Sequence, residues 1–345
     1  VVATSIPWQR LHSQLLDGKG AATPHAVVSH FGAMQAQDYL GALWAVGARM
    51  RAATESAIEE AIAARHIVRC WPMRGTLHFV AAEDLRWMVG LLAPRVLKRH
   101  AGRLERDFSV DARTLVRART VVERALEGGK ALTRPELYAI LDRARISTAG
   151  SRGLHLLFAL AHEQVICFGA RSGKQPTFVL LDEWLPASPP KVREEALGEL
   201  ARRYFASHGP ATLTDFVWWS GLTTKEASEA MSLAGTRGAV PTRAAGRVHL
   251  LPPFDEYTVA YKDRSAVLDA ADARSVNAGG GMINAIVVIN GRAAGNWKRV
   301  LRGDGVEVRV TPFREFTARE TIALQREANR YATFLGRQAA NVSLG

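Results

Sequence analysis

The sequence predicts a mainly α chain with small β-hairpins (α+β): three tandem winged helix-turn-helix motifs, then a C-terminal β-rich segment and a closing helix. Three observations predict it. Helix starts are signalled at Thr23-Pro24, at Thr133…Glu136 and at Thr212…Asp215, as N-cap, Pro-at-N1 and capping-box spacings. β-type runs broken by a basic turn follow the first two helix groups, at residues 66–80 (HIVRCWPMRGTLHFV) and 165–180 (VICFGARSGKQPTFVL). These two runs share a register, since aligning Cys70 with Cys167 also pairs Val68 with Val165, Trp71 with Phe168 and Arg74 with Arg171. Helices closed by a hairpin form the winged variety of the helix-turn-helix.

Taken in order, residues 6–16 read as a short amphipathic helix that Gly18 and Gly20 break. Thr23-Pro24 opens a helix to about Met34, and Asp38 stands at the N-cap of another from Tyr39. A helix after Thr54 runs to about Arg65, and the first hairpin turns at Pro72, Arg74 and Gly75. In the second segment, 110–127 is a helix ended by Gly128-Gly129. Thr133 opens the next, 151–164 is the third, and the hairpin carries Arg171 and Lys174 at its tip. Residues 181–195, with three prolines, form a linker. The third segment has helices at 191–208, from Thr212 and at 223–235, with strands between Val240 and Leu251. A polar loop with one short helix at 262–281 precedes two strands joined at Asn290-Gly291, the strongest hairpin signal in the chain. A strand at 306–313 follows. The closing helix, Thr317 to Leu335, spaces Ile322, Leu324, Ala328, Tyr331 and Leu335 along one apolar face. The expected domains are therefore 1–108, 109–190, 191–255 and 256–345.

With 45 Lys+Arg against 33 Asp+Glu, the net charge of +12 calls for a polyanionic partner, most simply nucleic acid. The basic turns at Arg74, at Arg171 with Lys174, and at Lys298 with Arg299 are the phosphate-contact candidates. Two cysteines with no C-x-x-C and no Cys/His cluster give neither a disulfide framework nor a zinc site. No long apolar run and no signal-peptide pattern stands out, so a cytoplasmic, nucleoid-associated bacterial protein is expected, monomeric and without a cofactor.

No P-loop, H-E-x-x-H, G-x-S-x-G or G-x-G-x-x-G is present. The ten histidines are scattered singly, with His12, His66 and His78 in the first segment, and Trp218-Trp219 suits a core better than a stacking platform. What remains is Gln35-Ala36-Gln37. On an extended or turn backbone, residues i and i+2 face one side, so two amides could converge on a water or a base edge. The same tripeptide also suits an ordinary polar lead into a helix.

Residues 34–50 (MQAQDYLGALWAVGARM), 73–80 (MRGTLHFV), 201–222 (ARRYFASHGPATLTDFVWWSGL), 250–264 (LLPPFDEYTVAYKDR) and 291–299 (GRAAGNWKR) together resemble the tandem winged-helix DNA glycosylases of the AlkZ type, known for azinomycin resistance and interstrand-crosslink unhooking. The resemblance spans nearly the whole chain. It implies three winged helices around a concave DNA channel, with a catalytic Gln–apolar–Gln motif falling on Gln35, Ala36 and Gln37. It also implies monofunctional hydrolysis of the bond to N7-alkylated guanine. The Gln–apolar–Gln form is associated with crosslinks, and the form with Asp in second place with monoadducts. Ala36 is a small residue for the apolar position. The alternative is a winged-helix transcriptional regulator without catalysis, which three unequal copies in one chain do not favour, because half-site readout needs two-fold symmetry.

Overall fold

The computed structural model describes residues 5–18, 20–235 and 247–345, which fall into two compact units. One is discontinuous, Val1–Glu60 with Leu197–Gly345, and the other, Ala61–Ala196, is inserted into it. The architecture is α+β, and among the described residues no helix is long and apolar enough to cross a membrane.

The inserted unit begins with an antiparallel pair, Ile67–Met73 and Thr76–Ala81, in register from Ile67↔Ala81 to Cys70↔His78. The register shifts before Met73↔Thr76, at the place where Pro72 has no N–H to give to the ladder. Arg74 and Gly75 make the turn with φ of 56° and 79°. Next comes a helix absent from the sequence reading, Leu85–Phe108, which continues through Pro94. Its buried Leu85, Met88, Val89, Leu92 and Val96 follow helical spacing, so the signal was there and the internal proline hid it. Ala112–Leu126, capped by Asp111, is followed by the two-residue strand Leu132–Thr133 and by Arg134–Arg143, which opens with the expected Thr133/Glu136 capping box. Arg152–His162 and the hairpin Ile166–Phe168/Thr177–Leu180 complete the unit, with Leu132–Thr133 on the open side of Thr177–Leu180.

The residues aligned between the two hairpins also meet in space. Trp71 packs on Phe168 at 5.0 Å between ring centroids, and the Cys70 and Cys167 thiols are neighbours. Both cysteines are free and buried. Burial pushes Cys167 up to about 12 and Cys70 well above the ordinary thiol range, so neither is a reactive thiolate.

The discontinuous unit holds the helices Ile6–Ser13, Pro24–Phe31 and Tyr39–Gly47, and later Leu213–Ser220 and Thr224–Ala234. Helix Arg193–His208 enters it from the inserted unit. Pro24–Phe31 stops short of Met34 because Gly32 turns at φ 77° into the strand Ala33–Gln35. Five strands form the unit's sheet, in the order Ala339–Leu344, Gly305–Pro312, Arg292–Arg302, Ile286–Ile289, Val248–Leu251. Asn290 and Gly291 make the expected turn, both at positive φ. Ala339–Leu344, which the sequence reading left out, lies parallel to Gly305–Pro312. Ala318–Phe334 opens with a Thr317/Glu320 capping box that the sequence reading did not name, and it buries Leu324, Ala328, Tyr331 and Phe334, whereas Ile322 is exposed, contrary to the expected apolar face.

Two expectations about the third segment need revision. Residues 240–246 lie outside the described residues, and among the described ones the strand Val248–Leu251 pairs with Ile286–Ile289. Both runs are fully buried, and pairing them satisfies their backbone inside the core. The expected boundary at 255/256 thus divides one sheet, and the compact units do not follow the four-segment division.

Candidate active site

Gln35 ends the strand Ala33–Gln35, Ala36 is fully buried, and Gln37 is exposed in the bend before the helix Tyr39–Gly47. Along Gln35-Ala36-Gln37 the strand gives way to a bend, and the residues are in turn half-buried, buried and exposed. The small Ala36 side chain serves as the inward peg.

Beneath the tripeptide lies a buried polar network that sequence reasoning missed. Glu256 Oε1 accepts the backbone N–H of Gln35 at 2.7 Å. Its Oε2 accepts from Trp219 Nε1 at 3.1 Å and faces His208 Nε2 at 3.3 Å. Next to it, Asp255 binds Arg49 through both oxygens at 2.8 Å, with both side chains fully buried. Arg49 also donates to Ala45 O and to Gln14 Oε1, and Gln14 donates to the Tyr261 hydroxyl. Tyr261 in turn donates to His208 O. Burial raises the Tyr257 and Tyr261 phenols, so both remain protonated donors. A bidentate Arg–carboxylate pair whose two terminal nitrogens are each bonded twice fixes geometry strongly, while Arg49 Nε stays buried with no partner among the described residues. The sequence contained one usable signal, the adjacent acids of Pro-Phe-Asp255-Glu256-Tyr in an apolar setting, where unpaired burial would be costly.

The other candidates are scattered. Arg74 sits on its turn but is half-buried, with Nε and Nη2 shielded from solvent, so the hairpin does not present it freely. Lys174 is exposed in the loop between Phe168 and Thr177, with Arg171 half-exposed beside it. These three belong to the inserted unit. Lys298 and Arg299 are not at a tip: they lie within the long strand Arg292–Arg302, opposite Arg309 and Val308. In the discontinuous unit they line a cavity of about 510 Å³ whose wall includes Asp38, the residue after Gln37. His12 pairs with Asp17 at 2.7 Å, His66 is exposed, and His78 is buried with Nδ1 against Thr76 O. Trp219 is core, as expected, while Trp218 is 40 % exposed with its indole N–H on Val259 O and the Lys262 ammonium over its ring.

A model of the family described as DNA glycosylase AlkZ-like matches residues 28–334. The chain belongs to the AlkZ-like DNA glycosylase family. It is 26% identical over 362 aligned positions to an interstrand DNA cross-link repair glycosylase of Streptomyces sahachiroi, covering 95% of each chain. Its fold matches the solved structure of the Streptomyces sahachiroi DNA glycosylase AlkZ with a TM-score of 0.77, at 23% identity, over 99% of this chain and 98% of that one. An AlkZ-like glycosylase is a hydrolase of N-glycosyl bonds whose partner is DNA. Membership in this family sets aside the regulator reading.

Proposed function

We propose that this glycosylase hydrolyses the N-glycosidic bond of N7-alkylated guanine in double-stranded DNA, interstrand crosslinks included, and leaves an abasic site. The observation that carries the assignment of the site is the tripeptide itself: a neutral amide at the end of a strand anchored through Gln35 N–H to buried Glu256, and a second, exposed one two residues on, in the bend before the helix Tyr39–Gly47. Gln37 positions the attacking water, and Gln35 assists or holds Gln37 and the sugar. Alkylation at N7 puts a positive charge on the base and makes it a good leaving group, so cleavage builds oxocarbenium character on the sugar. Amide carbonyl dipoles stabilise that charge and orient water toward C1′. A strong general base matters less when base departure is far advanced, which is how a motif that cannot titrate can serve. No lysine adjoins the motif in sequence to form a Schiff base, in keeping with hydrolysis without strand cleavage.

The winged-helix part of the reading is supported by the order helix, short strand, two helices, hairpin over residues 112–180. The crosslink substrate is supported by the printed name of the Streptomyces sahachiroi relative and by the Gln–Ala–Gln form of the motif. Arg74, Arg171, Lys174, Lys298 and Arg299 are the proposed phosphate contacts, and the protein acts as a monomer. The test is base release from duplex DNA carrying 7-methylguanine, followed by a crosslinked duplex. Gln37→Ala should lower release by about 10²–10³-fold at unchanged DNA affinity, the scale for losing one preorganised dipole. Full activity in this variant would overturn the assignment.

A further inference from the structure

A second cavity of the discontinuous unit, about 380 Å³ in volume, lies at the far end of the helix Tyr39–Gly47 from Gln37. Nine helical residues set the two ends roughly 13 Å apart. The volume falls among those of small-ligand sites, about 300–1,000 Å³. Four arginines line it from three separate segments: Arg51 just past the helix, Arg247 before the strand Val248–Leu251, and Arg326 and Arg330 on Ala318–Phe334. The bond-breaking step uses none of them.

The four are held differently. Arg330 is committed inside the fold, its Nη2 donating to Gly47 O, Ala48 O and Met50 O at 3.1, 2.7 and 3.2 Å. This covers the carbonyl end of the helix, which would otherwise repel an anion. Its Nη1 meets both oxygens of Glu327 at 3.2 and 3.4 Å, and Glu327, itself buried, is the single acid among the residues of the lining. Arg51 is exposed and donates from Nε to Gly20 O at 3.3 Å. Arg247 lies across Gly18, where an added Cβ would overlap its guanidinium. Among the described residues, the side chains of Arg247 and Arg326 make no hydrogen bond or ion pair, and Arg326 is exposed.

Four arginines against one glutamate leave three positive charges around a recess. The buried His249 in its wall registers them: burial first, then Arg330, Arg247 and Arg49, lower its pKa to about 3. Like charges gathered this way repel one another, and a shared anion removes that cost. Guanidinium forks match phosphate oxygens in geometry as well as charge. We propose that this cavity is a phosphate-binding site, separate from the glutamine motif, in which Arg247 and Arg326 grip the phosphate and Arg51 supplies a third cation. A bound phosphate joins the residues after Tyr39–Gly47, the start of Val248–Leu251 and the closing helix. A small phosphorylated molecule and the DNA backbone offer the same group. The threefold charge suits a monoester dianion better than a diester.

Calorimetric titration of the full chain with inorganic phosphate, against chloride at matched ionic strength, tests the site. Saturable binding is expected, and Arg326→Gln and Arg247→Gln should each weaken it about tenfold, the scale for one charged hydrogen-bonding contact. Arg319→Gln removes the same charge from the same helix outside the cavity and should leave the affinity unchanged. No saturable binding, an affinity that both cavity variants preserve, or an equal loss in Arg319→Gln would overturn the proposal. Thermal unfolding without phosphate identifies any variant that fails to fold, and Arg326→Gln, at an exposed side chain without a partner among the described residues, decides the matter if Arg247→Gln does. Repeating the titration on the chain saturated with a short unmodified duplex separates the two sources. Loss of phosphate binding there assigns the site to the DNA backbone, and undiminished binding assigns it to a small phosphorylated molecule.

Discussion

The inserted unit is held by an apolar cluster running from Trp71 and Leu77 through Leu137, Leu156 and Leu157 to Phe178, while the discontinuous unit sets a buried bidentate ion pair, Arg49 with Asp255, and the Glu256–His208 contact beneath its glutamines. The two solutions carry different costs. Apolar packing tolerates repacking and loses stability in proportion to the volume removed. A buried ion pair adds little net stability, yet losing one partner strands a charge in a dry interior. The comparison teaches where geometric definition is concentrated. The polar interior holds the backbone of the Gln35-Ala36-Gln37 tripeptide through the Glu256 carboxylate, and the apolar one carries the hairpins without any such buried ionic network among the described residues.

The largest effect that could break this contrast comes from the ion pair. Arg49→Leu should destabilise by about 3–5 kcal/mol in chemical denaturation, since it leaves Asp255 buried and unpaired. The double variant with Asp255→Leu should recover part of the loss, and a simple sum of the two single effects would contradict coupling. In the inserted unit, Leu157→Ala should cost about 2–5 kcal/mol through its cavity. Base release per folded molecule should stay unchanged there, and a selective loss of rate would show that the apolar interior also tunes the site.

A third outcome concerns pH. His249 is 95 % buried, and burial first, then Arg330, Arg247 and Arg49, pull its pKa from 6.5 to about 3. The folded state therefore keeps it neutral while the unfolded chain takes up the proton below pH 6.5. This contribution is fully present above 6.5 and is lost progressively as pH falls toward 3, by an amount on the order of a few kcal/mol. His249→Leu should flatten that limb of the stability curve, and an unchanged limb would assign acid sensitivity to other groups. The smallest effect belongs to the exposed turn. Lys174→Ala should leave stability within about 0.5 kcal/mol and reduce the salt slope of DNA binding by about one, as expected for a single phosphate contact. An unchanged slope would remove Lys174 from the interface.

Much of the fold was legible because its signals are local. The boxes at Thr133/Glu136 and Thr212/Asp215 bond within one helical turn, so a short local stretch suffices to place each start. Asn290-Gly291 specifies its own turn through positive φ. Gln35 and Gln37 stood out in the sequence through their spacing alone, and the structure sets the buried Ala36 between them. The sequence also aligned the two hairpins, and contact between Trp71 and Phe168 follows that alignment.

The tertiary structure alone decided which distant residues complete these pieces. Among the described residues, Val248–Leu251 has its ladder partner in the equally buried but distant run Ile286–Ile289. Ile322 fits the helical period but stays exposed, and Glu327 takes a buried place on the same helix. Arg49 meets Asp255 across 206 positions, and Gln35 meets Glu256 across 221. Backbone propensities and caps are paid within a turn of chain and leave a mark in neighbouring residues. Partnership between remote charges depends on which surfaces pack, and no local pattern records it.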